Sequence, residues 1–84
     1  MNLSSRDAAT VWHPYTQHQG AAPFLEALRA RGAWIHTHDG GAYLDMISSW
    51  WVNLHGHGSV ALADAIRDQC LALDHVQFAG VTHE

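Results

Sequence analysis

Apolar positions change period along this chain, and each period predicts an element. Leu62, Ile66, Cys70 and Leu73 recur every three or four residues, one stripe of a helix, while Asp64, Arg67 and Asp68 fall off it. Ser59 stands where its hydroxyl can accept a free first-turn N–H, so the pattern predicts a helix from Ser59 to about Leu73. Trp34-Ile35-His36-Thr37-His38 is aromatic and β-branched, which suits a strand. Asp39-Gly40-Gly41 then supplies the positive-φ positions of a tight turn, and Ala42-Tyr43-Leu44-Asp45-Met46 returns as the second strand of a hairpin.

The flanks are less patterned. Ser4 to Thr10 fits a short helical turn, with Ser4 or Ser5 as its cap. Val11 to Gly20 is irregular, because the His13-Pro14 step turns His13 away from helix. Pro23 to Ala30 fits strand or helix, and Leu25, Leu28 and the alanines favour helix. Ile47 to Gly58 reads as loop, and Val76 to Val81 as a further extended segment.

Composition changes this picture. Eighty-four residues make at most one small domain, and a domain that size buries only about 60% of its unfolded surface. Charged residues are 14% of the chain, against about 25% in an ordinary globular domain. With four tryptophans besides, the surface lacks the charge to solvate it. Much of it is expected to lie against other protein. The single cysteine, Cys70, allows neither an intrachain disulfide nor a paired-cysteine zinc framework, which fits a reducing, cytoplasmic setting. Met1 to Thr10 has no apolar core of a signal peptide, and no apolar run reaches the roughly 18 residues of a membrane span. A formal charge of −4 argues against nucleic acid.

Candidate chemistry is thin. His36 and His38 share a strand face, and His55 and His57 repeat that spacing, with Asp39 or Asp45 available as further metal ligands. No third ligand has a persuasive spacing, and scattered surface and turn histidines are the better reading. Ser48-Ser49 lacks a nucleophile elbow, Cys70 lies on the apolar stripe, and Gly56-His57-Gly58 is too short a signal for a phosphate loop. The aromatics are stronger candidates. Trp12, Tyr15, Trp50 and Trp51 sit in turn or loop segments, off any periodic core face. In an extended pair, Trp50 and Trp51 point to opposite sides. Such walls suit a flat or cationic ligand, or else anchor the segment in a neighbouring domain.

Asp39-Gly40, Tyr43-Leu44-Asp45, Leu54 and Gly56-His57 resemble the opening hairpin and following helix of the class III aminotransferases. Trp12-His13-Pro14-Tyr15-Thr16, Ser48-Ser49-Trp50-Trp51 and the final run from His75 to Glu84 are similar to the members that aminate 8-amino-7-oxononanoate in biotin synthesis. Ser59-Val60 departs from the His-Pro common in the family. The resemblance implies an α/β parent of fold type I, with residues 1–84 as the start of its small domain. It implies pyridoxal 5′-phosphate as cofactor, 8-amino-7-oxononanoate and S-adenosylmethionine as substrates, and a homodimer. Tyr15, Trp50 and Trp51 would line the substrate site. The amino donor stays open between S-adenosylmethionine and lysine, and the reaction between this one and another ω-type transamination. A separate aromatic-rich binding or assembly module is the rival. All four basic residues are arginines. A cofactor-anchoring lysine is therefore expected elsewhere in a longer parent, and neither catalysis nor cofactor binding is expected of this segment alone.

Overall fold

The computed structural model describes residues 2–84. Its centre is a three-stranded antiparallel sheet in the order β1-β2-β3, from β1 (Ala27–Arg31), β2 (Trp34–Thr37) and β3 (Ala42–Leu44). The expected hairpin is β2–β3, with Ile35 opposite Tyr43 and His36 opposite Ala42. At its turn the Asp39 carboxylate accepts from the Thr37 hydroxyl and the Gly41 N–H, and in that order these bonds hold its pKa below the usual value.

The first strand corrects the helical preference of the Pro23–Ala30 stretch. Five residues are too few for a helix that stands alone, whereas pairing with β2 satisfies their backbone in a ladder running from Ala27–Thr37 to Arg31–Trp34. Gly32, at φ 58°, makes the tight turn between them. Tertiary pairing overrides local propensity here.

Three helical segments complete the chain. The first, α1 (Leu3–Thr10), starts one residue before the expected turn. Its cap is Asn2, whose side chain accepts from the Ser5 N–H at 2.9 Å, and not Ser4 or Ser5. Ser4 instead donates through its N–H and its hydroxyl to Glu26, which pins α1 to the approach of β1. The second, α2 (Ser48–Trp51), is a single turn inside the expected loop. The third, α3 (Val60–Ala72), follows its expected Ser59 cap. Val76 to Val81 forms no strand.

Among the described residues no apolar side chain is buried, and α3 packs against none of the other elements. The accessible surface is 7472 Å², against about 5000 Å² for a folded monomer of this size. The radius of gyration is 17.3 Å, against about 12 Å for a domain of this length. Hydrogen bonds, and not a core, hold these elements in place.

Candidate functional site

The short turn α2 is left-handed. Ser48, Ser49, Trp50 and Trp51 have φ of 49°, 46°, 67° and 71°. Its hydrogen bonds still span four residues, from the Trp51 N–H to the Ile47 carbonyl at 2.8 Å and from the Val52 N–H to the Ser48 carbonyl at 2.9 Å. Left-handed backbone costs an L-residue about 1–2 kcal/mol, so four in succession store roughly 4–8 kcal/mol. Neighbouring structure must over-determine such a conformation.

Asp45 supplies much of that determination. Its carboxylate accepts from the Ser49 N–H at 2.8 Å, the Ser49 hydroxyl at 2.7 Å and His57 Nε2 at 2.7 Å. The two side chains are only 6% exposed for Asp45 and 14% for His57. The Ser49 N–H, then its hydroxyl, then His57 lower the Asp45 pKa to about 2. His57 is fixed in turn by two backbone bonds with Gly32, at 2.8 and 3.0 Å. Gly56 makes this approach possible, because a Cβ there would meet the Gly32 backbone at 3.3 Å.

These three side chains do not form a nucleophilic triad. A carboxylate only accepts, so His57 Nε2 must carry the proton it shares with Asp45. That same nitrogen is the one 3.5 Å from Ser49 Oγ, which leaves no basic lone pair facing the hydroxyl. A triad needs the histidine's two nitrogens on opposite duties. The adjoining cleft, about 210 Å³ and lined in part by Gly32, Asp45, Gly56 and His57, is also below the roughly 300 Å³ of an ordinary ligand pocket. This cluster supports structure.

Trp50 directly follows Ser49 in this turn. The Trp50 and Tyr15 rings meet with centroids 5.2 Å apart, tilted by 50°, within the range of favourable aromatic pairs. Tyr15 is itself left-handed, at φ 51°. Its segment is held by His13, which stacks on Phe24 at 4.0 Å and bonds Asp7 at 2.6 Å. The pair stays open to a ligand, with Tyr15 92% and Trp50 52% exposed. Trp51, 79% exposed, follows Trp50 directly, but neither it nor Trp12 pairs its ring with either partner. The condition of an extended Trp50-Trp51 pair is not met, since both residues lie in the left-handed turn.

Asp45, Ser49 and His57 escaped notice as a unit. All three stand in motifs that carry the family resemblance, but their chemistry reads separately, with His57 in a histidine pair, Asp45 as a supplementary metal ligand and Ser49 lacking a nucleophile elbow. The available signal was local: an aspartate four residues before a serine can bond that residue's backbone and hydroxyl together. Among the described residues no three histidine, cysteine, aspartate or glutamate side chains converge as a metal site.

The family described as aminotransferase class-III matches residues 15–84. The chain is 43% identical over 74 residues to the adenosylmethionine-8-amino-7-oxononanoate aminotransferase of Synechococcus elongatus, covering 88% of this chain and 18% of that one. It is 44% identical over 88 residues to the enzyme of that name from Mycobacterium leprae, covering 98% and 20%. The crystal structure of the Methanocaldococcus jannaschii enzyme of that name superposes with a TM-score of 0.88 at 32% identity, over 98% of this chain and 19% of that one. The chain thus spans about a fifth of the length of these relatives. A family match across both the Tyr15 and Trp50 segments, with the backbone of a solved relative, has one consequence: this chain belongs to the class-III aminotransferase family.

Proposed function

We propose that this chain is the amino-terminal part of a homodimeric pyridoxal-phosphate enzyme that converts 8-amino-7-oxononanoate to 7,8-diaminononanoate, with S-adenosylmethionine as amino donor. Tyr15 and Trp50 form its substrate wall, and Trp51 borders that wall. The observation that carries the reading is the Tyr15–Trp50 contact. Two exposed aromatic faces on fixed backbone offer stacking to an adenine and apolar surface to an aliphatic keto acid. The relatives named for this reaction agree with that chemistry.

Pyridoxal phosphate supplies the carbonyl group that carries nitrogen from donor to acceptor. The residues of this chain do not fit it. The sequence has no lysine to anchor it, and the shielded carboxylate of Asp45 is committed to Ser49 and His57. The cofactor site is therefore assigned to the rest of the parent, while this segment binds and orients substrate.

The full-length protein, given 8-amino-7-oxononanoate with S-adenosylmethionine or with lysine, tests the reading. Diaminononanoate formed with S-adenosylmethionine is the expected result. Formation with lysine alone would reassign the donor. No product with either donor, alongside turnover of other ketones, would reassign the chain to another ω-type transamination.

A further inference from the structure

The left-handed turn and the carboxylate beneath it have no place in substrate binding as described so far. Trp50 is the third of four consecutive left-handed residues, so its ring direction depends on that backbone and not on a choice of rotamer alone. A right-handed or extended Ser48–Trp51 would project the indole elsewhere. Three bonds from Ser49 and His57 converge on Asp45, and His57 is tied to the β1–β2 turn through Gly32. The sheet is thereby connected to the aromatic wall through one carboxylate.

We propose that Asp45 and His57 are positioning residues: they hold Ser48–Trp51 left-handed and so set the angle at which Trp50 meets Tyr15. The effect on turnover rests on the substrate wall proposed above; the effect on backbone geometry does not. Asp45 does the larger part, since it takes both Ser49 bonds. His57 orients the carboxylate for them. Neither touches the aromatic pair, and both act through the turn.

The test uses the full-length protein, with crystal structures to read the turn and steady-state kinetics on 8-amino-7-oxononanoate to read the wall. In Asp45→Ala, residues 48–51 should leave the left-handed region. KM for the keto acid should rise roughly 5- to 150-fold, as for loss of a stacking contact, with a smaller change in kcat. His57→Ala should follow in the same direction, and His57→Gln, which keeps an N–H donor, should recover most of the loss. Combining Asp45→Ala with Trp50→Ala should be no worse than the weaker single variant, because both remove one contact. Ser49→Ala loses only the hydroxyl bond and should show a smaller KM rise, which keeps the test open if Asp45→Ala does not fold. An intact left-handed turn in Asp45→Ala, or losses that multiply in the double variant, overturns the proposal. A collapsed turn in Asp45→Ala with unchanged kinetics in Trp50→Ala supports the clamp and removes the substrate wall.

Discussion

Tyr15 and Trp50 meet at 5.2 Å, each on left-handed backbone, although the two residues come from separate irregular segments of the chain. Neither partner reaches the other through a packed core, because the described residues bury no apolar side chain. The contact depends on two local supports. The Asp7–His13–Phe24 group braces the Tyr15 segment, and the Asp45–Ser49–His57 group, bonded at the residue before Trp50, is the proposed support of its turn.

Such supports are not enough for an independent fold. The helix α3 contacts no other element, and the surface is about half as large again as that of a folded monomer of this size. The isolated chain is expected to show no cooperative thermal transition, to exchange its amides rapidly, or to self-associate through its exposed tryptophans. Hydrogen exchange with sedimentation checks this. A monomer with well-protected amides in β2 and α3 would contradict it.

Gly56 offers a sharper structural test. At φ 79°, and with an added Cβ placed 3.3 Å from the Gly32 backbone, it carries both left-handed geometry and a close approach. In the full-length protein Gly56→Ala should cost about 1–2 kcal/mol for the backbone alone, with a further loss from displacing Gly32. Gly20 is the control, at φ 75° with nothing within 4 Å of its added Cβ. Denaturant titrations should rank Gly56→Ala below Gly20→Ala, and equal losses would refute the close-approach account.

Acid should loosen the same corner. Asp45 has a pKa of about 2 in the fold, against a usual 3.8. The folded value is the lower one, so its contribution to stability is fully present above about pH 4 and lost as pH falls towards 2. Near-ultraviolet circular dichroism of the full-length protein should change over that window. Asp45→Asn, which cannot titrate there, should lack this component. An unchanged acid profile in Asp45→Asn would show that the clamp does not titrate as described.

Where a sequence signal was periodic or chemical, it mapped onto structure. The Leu62–Leu73 stripe with Ser59 became α3, and Asp39-Gly40-Gly41 became the β2–β3 turn. Ala27–Arg31 was harder, because alanine and leucine favour helix locally and only pairing with β2 makes them a strand. The aromatic candidates were visible as tryptophan and tyrosine outside any core pattern. Their geometry was not, because no residue in Ser48-Ser49-Trp50-Trp51 is a glycine, the usual mark of left-handed backbone. The bonds that meet this turn come from Asp45, four residues before Ser49, and from His57 on the far side of it, and neither places a glycine in the turn itself.

The most direct measurement of the substrate wall is single-turnover kinetics of Tyr15→Ala in the full-length protein, with each half-reaction followed separately. If one wall serves donor and keto acid in turn, as proposed, both half-reactions should slow at subsaturating substrate, by roughly 5- to 150-fold in kcat/KM for a lost stacking contact of about 1–3 kcal/mol. The bound-cofactor absorbance should persist, because the role proposed for Tyr15 is in binding substrate. Two unaltered half-reactions, or loss of the cofactor itself, would contradict the role assigned to Tyr15 and Trp50.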